Sequence, residues 1–106
     1  MKLDILGTEY TFTETTPHAD QRLFDTDGYV DRYTKTIAVD TDYNENHPSA
    51  IGDFPTRLKK VKRHEIIHAF FCESGMSEWC SNEQLVDWLA WQFPKLLEAF
   101  KKTDCI

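Results

Sequence analysis

Polar and apolar positions alternate over the first forty residues. In "KLDILG", residues 2–7, Leu3 and Ile5 share one face; in "TEYTFTE", residues 8–14, Tyr10 and Phe12 alternate with threonines and acids. A period of two belongs to half-buried strands. Gly7-Thr8 between the two runs suits a two-residue hairpin turn that begins with glycine. A polar stretch closed by a turn at Asp27-Gly28 leads to a third strand, "KTIAVD" at 35–40, and residues 41–54, "TDYNENHPSAIGDF", are acidic and turn-rich and read as a loop.

The period then changes. No helix breaker stands between Pro55 and Gly75, which predicts a helix of about twenty residues, roughly 30 Å long, stopped by Gly75. "SNEQ" at 81–84 has the Ser-x-x-Gln spacing of a capping box and predicts a second helix running to about Phe93. Pro94 opens a last helical piece, "PKLLEAFKK", with Leu96, Leu97 and Phe100 inward. Trp88 and Trp91, three apart, share a helical face, for which core packing is the expectation. The expected architecture is α+β: a small antiparallel sheet of about three strands, then a long helix and one or two further helices, in a single domain over 1–106.

Composition narrows the function classes. A chain of 106 residues buries roughly two-thirds of its surface on folding, enough for a core without disulfides. The net charge is −6, which argues against a nucleic-acid surface, since such affinity rests on clustered Lys and Arg. The one basic cluster, "RLKKVKR" at 57–63, reads as the solvated face of the long helix's first turns. No apolar run is long enough to cross a bilayer. Three cysteines are an odd number and no signal-peptide core follows "MKLDILG", so a reduced, cytoplasmic setting is expected. Cys72 then reads as a small core residue, with a Cys72–Cys80 bridge as the alternative.

Chemistry concentrates in "RHEIIHAFFCESG", residues 63–75. Residues four apart on a helix are offset by about 40° and 6 Å, so His64 and His68 point the same way from successive turns and can bind one zinc at about 2.0–2.1 Å. Glu65 is rotated by about 100° from His64. It is too far round to ligate easily but able to reach a water beside the metal, which separates two ligands from one base. Ile66, Ile67, Ala69, Phe70 and Phe71 surround the pair. A turn this apolar rarely keeps three ionisable groups unless their desolvation is compensated.

Catalytic zinc needs a third protein ligand and an open position. In "SNEQLVDW", Glu83 and Asp87 are again four apart. Glu83 can complete the ligand set, and Asp87 can accept the second ring N–H of one histidine. Taken alone, Glu83 would be no more than an acid favoured at a helix N-terminus. A structural zinc site of Cys72, Cys80 and a histidine ranks below this one. His64 and Cys72 lie about 12 Å apart along a straight helix and cannot share an ion, so such a site would leave His64 unpartnered.

"HEIIH" followed by "NEQLVD" resembles the gluzincin metallopeptidases, with their HExxH and later NExxxD. More narrowly, residues 63–100 look like the very short HExxH proteins of phage and prophage genomes, sometimes called minimal gluzincins. The resemblance implies a zincin-like fold, with a small sheet packed on the motif helix and a substrate strand pairing to the sheet edge. It implies one zinc ion held by His64, His68 and Glu83, Glu65 as base and proton shuttle, and Asp87 as the acceptor behind a histidine. It also implies peptide-bond hydrolysis through a metal-activated water, on a peptide or protein substrate, in a bacterial host or phage-infected cell. The chain departs from the pattern in two respects. The connection from His68 to Glu83 is short, and no His or Tyr follows Asp87 to steady an oxyanion; Tyr43 and His47 are substitutes by residue type only. A zinc-stabilised binding or regulatory domain, meeting a protein partner through exposed aromatics, is the rival expectation.

Overall fold

In the computed structural model, which describes residues 1–42 and 52–106, the chain runs β1 (Lys2–Ile5), β2 (Thr8–Thr15), a 3₁₀ turn (Gln21–Leu23), β3 (Gly28–Asp31), β4 (Thr36–Asp40), α1 (Phe54–Glu73), α2 (Ser77–Cys80) and α3 (Glu83–Lys102). The class is α+β. The loop expected over 41–54 falls largely outside the described residues. Among the described residues, no helix is long and apolar enough to cross a membrane.

The sheet corrects the expectation of three antiparallel strands. It has four, in the order β1-β2-β4-β3, with β2 and β4 parallel and the other pairs antiparallel. Residues 37–40 of β4 are all buried, and a strand apolar on both faces belongs in the middle of a sheet rather than at its rim. The added strand, β3, is joined to β4 by a hairpin turn in which the Asp31 carboxylate accepts from the Tyr33 and Thr34 amides at 2.9 and 3.1 Å. Gly28, read from sequence as part of a turn, is instead the first residue of this strand. The β1–β2 turn also shifts by one position. Ile5 pairs with Thr8, so Leu6 and Gly7 are its central residues, with φ of 52° and 88°. Two left-handed residues make the turn that matches strand twist best.

One face of the sheet packs on α1. The core comprises Ile5, Tyr10, Phe12, Ile37, Val39, Val61 and Ala69. Tyr10 fixes the far end of the helix: its hydroxyl donates to Glu73 Oε1 at 2.8 Å, which also accepts from Lys35 Nζ at 2.9 Å. Burial and this carboxylate push the Tyr10 phenol up to about 12. Gly75, at φ 81°, ends α1 as expected. The amides of Gly75 and Met76 bond back to the carbonyls of Cys72 and Phe71 at 3.2 Å each, a glycine-centred helix stop.

α1 lies between the sheet and α3, so its basic cluster is not simply solvated. Arg57 pairs with Asp27 at 2.8 Å, Lys60 with Asp87, and Lys62 with Glu14 at 2.5 Å. Arg63 has a more specific task. The predicted break at Pro94 does not occur, and α3 is one continuous helix with the proline inside it. Proline lacks the N–H that would serve the carbonyl four residues back. That carbonyl belongs to Ala90, and Arg63 Nε donates to it at 2.7 Å. The helix therefore continues because its neighbour supplies the missing donor.

The other corrections also concern α3. Its cap is Asn82, whose side chain accepts from the Leu85 amide at 3.0 Å, rather than Ser81, whose hydroxyl bonds to the carbonyls of α2. Trp88 and Trp91 are each 53% exposed rather than packed in the core. Val86 and Ala90 are the buried residues of α3, on the opposite side of the helix.

Arg63→Leu is expected to cost about 1.5–3 kcal/mol in denaturant unfolding, as befits a charged donor to a buried carbonyl. In a Pro94→Ala background, where residue 94 regains its N–H, the same substitution should cost clearly less. Equal costs in the two backgrounds, within about 0.5 kcal/mol, would show that the two groups are uncoupled.

Candidate metal centre

The histidine nitrogens and a carboxylate converge where α1 meets the start of α3. His64 and His68 sit on successive turns of α1, and Glu83 is the first residue of α3. His64 Nε2 and His68 Nε2 lie 3.1 Å apart, and each approaches a different oxygen of Glu83, at 3.1 and 2.9 Å respectively. Ligands at about 2.0–2.1 Å from a tetrahedral ion stand roughly 3.3 Å from one another, so these separations match a shared cation. Among the described residues, His64, His68 and Glu83 form a group able to hold a metal ion.

The partners on the far side of each ring decide what those nitrogens carry. His68 Nδ1 lies 2.6 Å from the Cys80 carbonyl oxygen. A carbonyl can only accept, so Nδ1 carries a proton, and in the neutral ring Nε2 is the atom with the lone pair. His64 Nδ1 faces Asp87 Oδ1 at 3.0 Å. Burial pushes the Asp87 carboxyl up, but the Lys60 ammonium and His64 outweigh that and hold it below the usual carboxylate range. It therefore accepts from His64 as an anion, and again Nε2 is free. Burial, then the coulombic influence of His68, lowers His64 below the usual imidazole range. With both rings neutral, three lone-pair donors point at one another. Such an arrangement fits a cation.

Glu65 faces elsewhere. It is buried, with Oε2 lacking a hydrogen-bond partner among the described residues. Burial, and then the charges of Glu83 and Asp27, push its carboxyl up to about 8. Its side chain lies against Gly28 of β3: a Cβ on Gly28 would stand 2.8 Å from both Glu65 Cγ and the Ala38 carbonyl oxygen. The glycine is required by this close approach of strand to helix. β3 is an edge strand, and its pairing alternation turns the N–H and C=O of Gly28 and Val30 away from β4.

Of the residues singled out in the sequence, His64, His68, Glu83 and Asp87 are brought together, and Glu65 flanks them on the sheet side. Tyr43 and His47 lie outside the described residues. The cysteines overturn an expectation: Cys72 is bonded to Cys80, and Cys105 is free and exposed. A pair of reduced thiols is thereby replaced, and neither sulfur is left to ligate an ion with His68. Sequence reasoning missed Lys60, which neutralises Asp87 from behind, and the Cys80 carbonyl. Lys60 was legible in principle, one turn before His64 on the same face. A backbone carbonyl leaves no sequence signal. No family model, curated protein or solved structure matches the chain.

Titration of the metal-free protein with a divalent cation, followed by chelator competition, is expected to give one tight equivalent. Glu83→Ala should weaken it by more than about 100-fold, and Asp87→Ala by about 10–100-fold, as for a partner behind a ligand. Unchanged affinity in Glu83→Ala would remove that residue from the ligand set.

Proposed function

We propose that the protein is a zinc-dependent peptidase similar to the minimal gluzincins, with His64, His68 and Glu83 as ligands and Glu65 as general base. The observation that carries this reading is the convergence of three potential metal donors, two imidazoles and one carboxylate, beside a buried carboxyl. Two histidines and a glutamate are a donor set of catalytic zinc. When bound there, zinc would lower the pKa of a water toward 7 and polarise a substrate carbonyl.

The chain's own groups supply the rest. Glu65 Oε2 takes the proton of the attacking water and returns it to the amide nitrogen as the C–N bond breaks, so no proton is gained or lost over the cycle. Burial suits that role by raising the basicity of Glu65, and a nearby cation would offset the rise and favour its ionised form. Asp87 and the Cys80 carbonyl hold the two rings in the ligating tautomer. An extended peptide adding to the outer edge of β3 would pass Glu65 at Gly28, with main-chain hydrogen bonds to Val30 and to the Gly28 amide, since the Gly28 carbonyl accepts from Thr26 Oγ1 at 3.0 Å. A groove lined by Asp27, Arg57, Lys60, Val61 and Trp91 begins beside Lys60 and offers room for a side chain.

Glu65→Gln is the deciding variant. It should keep one equivalent of zinc while turnover of a peptide library falls about 10²–10⁴-fold. Loss of zinc along with turnover would make Glu65 a ligand and end this assignment.

A second reading, a zinc-stabilised domain that binds a protein partner, draws support from the exposure of Trp88 and Trp91 on one helical face. Under it, Trp88→Ala/Trp91→Ala would leave zinc content and thermal stability unchanged but abolish association, read as the loss of a complex in size-exclusion chromatography from cells expressing the protein. Under the peptidase reading, wild type but not Glu65→Gln cleaves peptides.

A further inference from the structure

Cys80 meets the metal centre twice. Its carbonyl accepts from His68 Nδ1 at 2.6 Å, and its sulfur is bonded to Cys72. Cys72 lies four residues after His68, one turn along the same face of α1. The helical turn from His68 to Cys72, the disulfide, and the hydrogen bond from the Cys80 carbonyl back to His68 thus form a closed ring. Among the described residues, no buried side chain of α2 anchors Cys80. α2 is a single turn with no buried residue and no side-chain cap. Its other large side chains, Met76 before it and Trp79 within it, are exposed. Three residues beyond Cys80 the chain reaches Glu83, so whatever fixes Cys80 also limits where that carboxylate can lie.

We propose that the Cys72–Cys80 disulfide is a positioning element of the metal centre, so that affinity for a divalent cation depends on the redox state of this pair. The inference rests on the reading of His64, His68 and Glu83 as ligands. With the bond intact, the Cys80 carbonyl is held on His68 Nδ1, the ring is locked in the tautomer that presents Nε2, and Glu83 is delivered to both histidines. Reduction breaks the Sγ–Sγ bond. Two electrons and two protons arrive from a dithiol, which closes to its own disulfide, and Cys72 and Cys80 become thiols. α2 then loses its covalent cross-link to α1. The carbonyl leaves His68 for part of the time, and the ring samples both tautomers. Both cysteines are only half-buried, so a reductant has access.

The test uses the full chain, metal-free, in oxidised form and after treatment with a trialkylphosphine. The phosphine becomes its oxide by taking the oxygen of a water whose two protons end on the sulfurs. Zinc affinity is read by competition with a chromophoric chelator, and the site's geometry by the visible spectrum of the cobalt(II) form. Reduction should weaken zinc binding by about 10–100-fold, the range for losing a partner behind a ligating histidine. The cobalt spectrum should change shape without gaining a thiolate charge-transfer band. Cys72→Ala/Cys80→Ala should bind as the reduced protein does and ignore the phosphine, while Cys105→Ala should keep the full response. If the double variant fails to fold, the phosphine-treated wild type, checked by circular dichroism, carries the comparison. Equal affinity in the two redox states would overturn the proposal. So would tighter binding with a thiolate band, since the sulfurs would then be ligands in waiting. Absence of binding even in the oxidised protein would instead overturn the metal-centre reading, and this proposal with it.

Discussion

Three lone pairs aimed at one point is the constraint on which this structure turns. Two imidazole nitrogens and a carboxylate lie within about 3 Å of one another, and their lone pairs repel where no proton lies between them. Each ring spends its N–H outward, His68 on the Cys80 carbonyl and His64 on Asp87. The surrounding protein must hold this frustrated cluster together without a counter-charge of its own, and that requirement explains features that otherwise look unrelated. They include the disulfide, the ion pair of Lys60 with Asp87, and the packing of α3 against α1 just behind the cluster. A site formed only in the folded chain also returns its metal-binding free energy as folding free energy, so a cation would reverse the sign of the cluster's contribution.

α1 is the element through which every part of the arrangement acts. Toward the sheet it buries Val61, Glu65 and Ala69 against β-strand residues, and there Gly28 makes way for the Glu65 side chain. Toward α3 it presents Lys60, Arg63, His64 and His68. The 100° step between neighbouring helical residues sends Glu65 to one side and the two histidines to the other. Arg63 shows how tightly the two helices are matched. A proline that would ordinarily break α3 is tolerated because an arginine beside the first histidine occupies the carbonyl it orphans. Register between α1 and α3 is thereby fixed one residue from His64.

How much of this was legible in the sequence divides along physical lines. His64, Glu65 and His68 could be read because helical periodicity is local and dictates which side chains share a face; Glu83 and Asp87 followed from the same rule on a second helix. Element types also survived, since alternation at Tyr10 and Phe12 and the long unbroken run to Gly75 are strong local signals. What failed was everything decided by a partner distant in the chain. Pro94 looked like a start because the donor that rescues Ala90 sits twenty-seven residues upstream. β3 looked like a turn because Gly28 is chosen for closeness to Glu65, not for turn geometry. The parallel pairing of β2 with β4 depends on which strand can bear burial on both faces. Trp88 and Trp91 share a face as their spacing requires, but spacing cannot say which face meets α1. The disulfide had a faint signal: two cysteines eight apart flanking a helix-stopping glycine are carried back toward each other when the chain reverses.

The two histidines are held by unlike partners, and the difference bears on how the cluster balances its charge. Asp87 is an anion, and an anion behind an imidazole raises its basicity, drawing the ring toward protonation or toward a fully charged ligand. Lys60 counters this by pairing with the same carboxylate oxygen that His64 uses, leaving Asp87 able to orient the ring while lending it less charge. His68 has a neutral carbonyl behind it and needs no such correction. The two rings thus present Nε2 by separate routes, and Glu83 is the one carboxylate among the three converging groups. An ion with two positive charges held by two neutral rings and one carboxylate keeps a net positive charge, which is the condition for polarising a carbonyl or acidifying a water. Were Asp87 left unpaired, more of that charge would be cancelled through His64. Lys60, which pairs with Asp87 rather than with the converging atoms, would thus preserve the electrophilic character of a cation held there.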